Sequence, residues 1–309
     1  MLDGPRDTAW PARFPLCLGT MRLMPTHVTG PHLYQATPVA FLTQHGKETL
    51  LRSPLENALG CQLLHTDGYD TDLLGTFTDE IGRCGSQLEA ARRKATIGME
   101  LLHTSVGIGS EGAFGPDPFS GLSAWDIEVV VWLDRSRQLE VVGMAQDFAM
   151  NQQRTVHTVE ALMQFAQEAG FPAHHLLVHP GGAAPGQVRK GIRDTATLQA
   201  AFVEALAASP GQGVVVANDL RAFCNPTRQA VIGRAAADLV HKLQSPCPRC
   251  GSPGYCTTEH TPGLPCRVCG TPTRLPRMRI LRCAACEHHE EQPVSPSHAD
   301  PGHCPTCNP

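Results

Sequence analysis

The stretch Pro38-Val39-Ala40-Phe41-Leu42-Thr43-Gln44-His45-Gly46-Lys47-Glu48-Thr49-Leu50-Leu51 decides the fold. An apolar run of strand length passes through a polar turn with one glycine into apolar positions at helical spacing. Pro38–Thr43 reads as a strand. Leu50, Leu51, Leu55, Ala58 and Leu59 mark the buried face of a helix that stops at Gly60. A second strand is expected at Cys61–His65. Strand, helix, strand in that order is the opening of an α/β domain.

The same alternation continues downstream. Ser86 and Glu89 form a capping-box signature in front of a helix to Leu102. Val106–Gly109 reads as a short strand running into a glycine-rich loop, 110–115. Ile127–Leu133 and Leu139–Ala145 suggest a hairpin. A helix is expected over Thr155–Ala169, a strand at Leu176–His179, a helix at Thr195–Ala208 and a strand at Gly213–Ala217. Asn225-Pro226 opens the last helix, which runs to Leu243. The fold class expected is α/β, one mixed sheet with flanking helices over residues 36–244. Residues 1–35 carry five prolines and no sustained periodicity, and are read as a disordered segment or extension.

The last 63 residues follow another logic. Cys247/Cys250, Cys266/Cys269, Cys283/Cys286 and Cys304/Cys307 are four Cys-x-x-Cys pairs separated by 15, 13 and 17 residues. A two-residue spacer lets one tight turn aim two thiolates at one metal, and two such turns complete a tetrahedron. Residues 245–309 are therefore expected to form a double zinc-ribbon-like module with two structural zinc ions, in preference to disulfides or an iron–sulfur cluster. The loop lengths favour sequential pairing, first with second and third with fourth. Crossed or nested pairing would instead give one compact unit.

Bulk properties exclude several classes. The net charge of −4 and an aromatic content of 5% do not describe a nucleic-acid glove. No run of 18 apolar residues suggests a membrane span, and the first residues show no signal-peptide pattern. A reducing, cytoplasmic setting is expected for so many thiols. In the tail, Arg277 and Arg279 fall on one face of a strand, a possible contact surface for nucleic acid or protein. Six arginines there meet only five acids, and the thiolates add negative charge.

Polar residues gather where strands end, which is where open α/β sheets bind ligands. Thr43, Gln44 and Lys47 stand at the first strand–helix turn. Ser110 and Glu111 lie between glycines after the third strand. Asp219, Arg221, Asn225 and Arg228 flank the start of the last helix, where two arginines suit a phosphate or carboxylate and Asp219–Arg228 is the plain structural alternative. Asp72 and Thr76 belong to a polar loop, and Glu89 and Lys94 to the second helix.

The motifs His45-Gly46-Lys47-Glu48, Asp70-Thr71-Asp72, Gly75-Thr76-Phe77-Thr78, 110–115, Asp219-Leu220-Arg221-Ala222 and Asn225-Pro226-Thr227-Arg228, with the cysteine-rich tail, resemble an uncharacterised bacterial family of unknown function. Residues 38–145 are also similar in layout to inosine/xanthosine triphosphate pyrophosphatases. The matching features are the Thr43–Lys47 turn, Glu89 ahead of Lys94-Ala95, and Ser110-Glu111-Gly112 before a hairpin. That resemblance implies Mg²⁺-dependent hydrolysis of a nucleotide or related phosphate, with Lys47 on phosphate and Glu89 and Glu111 on Mg²⁺. The alternative expectation is a non-catalytic zinc protein that binds a ligand, nucleic acid or protein.

Overall fold

A computed structural model describes residues 33–71, 86–182 and 187–309. They fall into two units, 33–245 and 246–309. The first contains two sheets instead of the single one expected.

The larger sheet has the order β2-β1-β3-β4-β5, built from β1 (Pro38–Leu42), β2 (Gln62–Thr66), β3 (Val106–Pro116), β4 (Ala124–Asp134) and β5 (Leu139–Phe148). β1 runs parallel to both β2 and β3, and β3, β4 and β5 form an antiparallel meander. Helix α1 (Lys47–Leu59) ends on Gly60 in the left-handed conformation. Helix α2 (Gln87–Leu102) begins with the anticipated capping box of Ser86 and Glu89. α2 packs on β3, β1 and β4. At Gly109 a methyl group would stand 1.8 Å from the Ala91 carbonyl oxygen, so this glycine is required for α2 to lie on β3. On the opposite face Val39, Phe41, Ile108, Val130 and Trp132 pack with Leu51 and Leu55 of α1. Each such fully buried large side chain contributes about 1.5–3 kcal/mol. Tyr34, inside the segment read as an extension, is 2% exposed, packs edge-on against Trp132 and donates a hydrogen bond to Asp134.

A second sheet is inserted after β5. It comprises β6 (Gln153–Val156), β7 (Leu176–Pro180), β8 (Arg189–Ile192) and β9 (Val214–Asn218), antiparallel in the order β6-β9-β7-β8. Helices α3 (Val159–Glu168) and α4 (Thr195–Ala208) bury Leu162, Phe165, Leu198 and Phe202 with Leu176, Val178, Val214 and Val216. β6 and β8 were not anticipated, and the helix expected from Thr155 starts four residues later, capped by Thr158. The chain then returns to the first sheet as α5 (Pro226–Leu243), which packs on β4, β5 and α1. Its buried positions Arg228, Val231, Ile232, Ala235, Ala236, Leu239 and Leu243 fall on one face of the helix.

In residues 246–309 the strands β10 (Cys256–Pro262), β11 (Pro276–Arg282) and β12 (His289–Pro293) form an antiparallel meander. Its direction reverses at every turn, so the first and third cysteine pairs meet at one end of the strands and the second and fourth at the other. Pairing is therefore crossed, which corrects the sequential expectation. Arg277 and Arg279 are exposed on β11, and Arg279 donates to the Gln292 side chain. Among the described residues, no helix is long and apolar enough to cross a membrane.

Candidate functional site

The order β2-β1-β3 fixes where a ligand site can form. The chain leaves β1 toward β2 through α1, then crosses back through α2 to β3 on the other side. The crevice beyond the carboxyl end of β1 is the switch point of such a sheet. β1 stops at Leu42, and its last partner on β3 is Ile108. From Ser110 onward β3 has β4 as a neighbour but not β1. The segment 110–115 is thus strand, not the glycine-rich loop expected.

A buried ion cluster occupies this end of the sheet. Lys47 is the first residue of α1, and its ammonium donates to Ser110 Oγ and to Glu128 Oε2, both at 3.1 Å. The other carboxylate oxygen of Glu128 accepts from Arg228 Nε at 2.6 Å. Arg228 reaches in from the first turn of α5, also donates to the Leu220 carbonyl, and lies over the Phe114 ring. Gly112 faces Glu128 on β3, and a methyl group there would stand 2.3 Å from Glu128 Oε1 and 2.4 Å from an Arg228 nitrogen. The glycine makes room for the ion pair. The Glu128 side chain is 0% exposed. Burial pushes its carboxyl up, but Arg228 and Lys47 together outweigh burial and hold it below the usual range. Burial also lowers the Lys47 ammonium, against the pull of Glu128.

Asp126 lies two residues before Glu128 on the same face of β4. It is 1% exposed, and neither carboxylate oxygen has a hydrogen-bond partner among the described residues. Burial, and next the Glu128 charge, push its pKa up to about 7. An unpaired buried carboxylate is costly, so protonation is its natural response.

The α2 face contributes a second ion pair. Lys94 Nζ lies 2.5 Å from Glu111 Oε2. The Gln87 amide donates to the carbonyls of Glu111 and Ile127, tying the start of α2 to β3 and β4. Lys47 also feels the charges of Glu111 and Lys94, so the two ion pairs are linked electrostatically. Lys47, Lys94 and Arg228 face Glu111 and Glu128. With Asp126 protonated, this group carries one net positive charge.

The structure thus brings together Lys47, Ser110, Glu111, Lys94 and Arg228. Thr43 is buried at the end of β1, where its carbonyl accepts from His65 Nε2. The Gln44 side chain accepts from the backbone and hydroxyl of Thr71. Glu89 is not part of the cluster. It is exposed, and its carboxylate binds the Ser86 amide at 2.6 Å, a bond that also lowers its pKa. Helix periodicity turns it away from Gln87 and Lys94, so the Mg²⁺ site expected from Glu89 and Glu111 is not assembled. Asn225 caps α5. Asp219 pairs with Arg221 and not with Arg228. Asp72 and Thr76 lie outside the described residues. Asp126, Glu128 and Gln87 were missed. The first two have a signal in the sequence, two carboxylates at alternate positions in the otherwise apolar run 125–132.

Two further sites are made of sulfur. Cys247, Cys250, Cys283 and Cys286 form one tetrad and Cys266, Cys269, Cys304 and Cys307 the other, with the four sulfurs of each within 4.8 Å of one another. The closest sulfur–sulfur separations are 3.5–3.9 Å. Four sulfurs about 2.3 Å from one ion define tetrahedral edges of about 3.8 Å. Each tetrad can hold one metal ion in a geometry consistent with zinc. Among the described residues no other group of three or more His, Cys, Asp or Glu side chains is close enough to share a metal.

A family model described as Domain of unknown function (DUF6671) matches residues 94–309. The chain belongs to this family. The DUF6671 match takes in both tetrads, Lys94, Glu111, Asp126, Glu128 and Arg228, and begins beyond Lys47. It agrees with the resemblance to an uncharacterised family and carries no sign of a pyrophosphatase. No curated protein and no solved structure matches the chain.

Proposed function

We propose that the switch-point cluster binds a small phosphate-bearing molecule and hydrolyses it. The observation that carries this reading is the convergence of Lys47, Ser110 and Arg228 near Asp126, a buried carboxylate with no hydrogen-bond partner among the described residues. Lys47 and Arg228 supply fixed positive charge where the phosphate gathers negative charge in the transition state. Water attacks phosphorus, its proton passes to Asp126 in its ionised form, and the bond to the leaving group breaks. A carboxyl with a pKa of about 7 is matched to that proton transfer near neutral pH. Zinc in both tetrads folds residues 246–309, and a reducing cytoplasm keeps those thiolates available.

The test is phosphate release from a panel of phosphate monoesters and anhydrides, with and without Mg²⁺, by wild type and Asp126→Asn. The expected result is turnover that the variant loses while ligand binding persists. Binding without turnover in the wild type would make this a ligand-binding protein, and no binding at all would refute the phosphate reading.

A further inference from the structure

The loop from β9 to α5 holds a feature that the ion cluster does not use. Phe223 is 46% exposed, whereas its neighbours Ala222 and Cys224 are buried. The short turn Ala222–Cys224 therefore directs its largest side chain outward. The Arg221 guanidinium lies over the Phe223 ring, 4.7 Å from its centroid. That guanidinium is held in place by Asp219, with Nε at 3.0 and 3.1 Å from the two carboxylate oxygens and NH2 at 2.5 Å from the second. Asp219 is buried and also accepts from the Gly191 amide at 2.9 Å. Arg221 thus has its charge balanced and its plane fixed, and with Phe223 it forms a flat, half-exposed stack.

This stack adjoins the switch point on two sides. The Phe223 Cβ stands 3.5 Å from where a side chain on Gly46 would begin, one residue before Lys47. Leu220, between Asp219 and Arg221, gives its carbonyl to Arg228 of the cluster. The loop that carries the ring is the loop that braces the buried arginine. Aromatic rings and guanidinium planes of this kind accept other π systems face to face.

We infer that the ligand of this site carries a planar aromatic ring attached to its phosphate, and that the ring stacks on the Arg221–Phe223 pair. The inference rests on the phosphate reading above and names the substrate class for it. Phe223 is then a specificity-determining residue, and its contact is independent of the phosphate's charge.

The experiment is calorimetric titration of the full chain with adenosine 5′-monophosphate and with ribose 5-phosphate, which shares the phosphate and sugar but lacks the ring. The wild type should bind the ring-bearing ligand at least about tenfold more tightly, the scale of one stacking contact. Phe223→Ala should remove that preference and leave ribose 5-phosphate unchanged. Phe223→Leu, which keeps the volume, should do the same, and Phe223→Trp should preserve the preference. Equal affinities in the wild type, or a preference that survives Phe223→Ala and Phe223→Leu, would overturn the ring subsite and leave the phosphate reading standing. Binding of neither ligand would overturn both.

Discussion

The end of β1 and the cysteine tail are both clusters of chemically demanding side chains, yet they differ in what assembles them. In the tail each ligand pair is made locally by a two-residue spacer, and the remaining question is which turn meets which. At the switch point the members come from five elements: Lys47 from α1, Lys94 from α2, Ser110 and Glu111 from β3, Asp126 and Glu128 from β4, and Arg228 from α5. The first kind of site is visible in a string of residues, and the second exists only after folding. The tail also depends on its ligands for cohesion. Its buried cluster is little more than Cys247, Tyr255 and Cys283 with Leu281 and Cys286, too little apolar surface for a small unit without a metal.

Metal removal should separate the two regions most sharply. Structural zinc contributes on the order of 10–16 kcal/mol in small zinc modules. Chelation should therefore unfold residues 246–309 while the thermal transition of residues 33–245 persists, read by circular dichroism with metal analysis showing two ions lost per chain. The crossed pairing has its own test. A double Cys247→Ser, Cys283→Ser variant disables a single tetrad and should retain one metal ion per chain. Loss of both ions would restore sequential pairing.

Next in size is the ion cluster. Glu128→Ala leaves Lys47 and Arg228 buried without their shared partner and should cost about 3–5 kcal/mol in urea denaturation. The combination Lys47→Met, Glu128→Leu, Arg228→Met replaces the whole group with apolar side chains and should recover most of that stability while abolishing phosphate binding. If phosphate affinity survived the triple replacement, the cluster would be a structural device, and the contrast between the two regions would be one of stability alone.

How much of this was legible follows the same division. The capping box at Ser86 and Glu89, the Gly60 stop of α1 and the Asn225-Pro226 start of α5 are local events, and each stands where its residues place it. β6 and β8 are four-residue, mostly polar strands without a clear period, and the partner of β6 is β9, far away in sequence. Gly109 and Gly112, which flank Ser110 and Glu111, stand in the sequence at a candidate ligand site. They serve instead the approach of α2 and the space for Glu128 and Arg228, contacts no spacing rule contains. Asp126 and Glu128 do not stand out in the sequence because the surrounding valines and tryptophans dominate the pattern. Glu89 satisfied two rules at once, and the local one prevailed. Its capping partner is three residues away, whereas a shared metal would require the helix to turn its other side to the sheet.

A smaller effect, with a direction fixed by pH, is expected at Asp126. Its folded pKa of about 7 exceeds the ordinary 3.8, so the folded protein holds this proton more tightly than the unfolded chain does. The resulting penalty is absent below about pH 4, where both states are protonated. It grows as the pH rises toward 7 and is complete above that. Asp126→Asn should therefore match the wild type near pH 4, where both side chains are neutral, and exceed its stability by roughly 4 kcal/mol at pH 8, about 1.4 kcal/mol for each unit of the raised pKa. Equal stability at both pH values would show that Asp126 ionises normally, and the proton-acceptor role would fall with it.

The smallest effects belong to the α2 cap, where the two readings of Glu89 part company. Ser86→Ala removes the side-chain acceptor for the Glu89 amide and should cost about 1 kcal/mol. Glu89→Gln keeps an oxygen for the Ser86 amide, so it should change neither the melting temperature nor the affinity for a phosphate ligand. A metal-binding carboxylate would behave in the opposite way, because the amide cannot supply the charge that Mg²⁺ requires. Loss of Mg²⁺-dependent turnover in Glu89→Gln at unchanged melting temperature would return Glu89 to the site and show that α2 presents a different face when ligand binds.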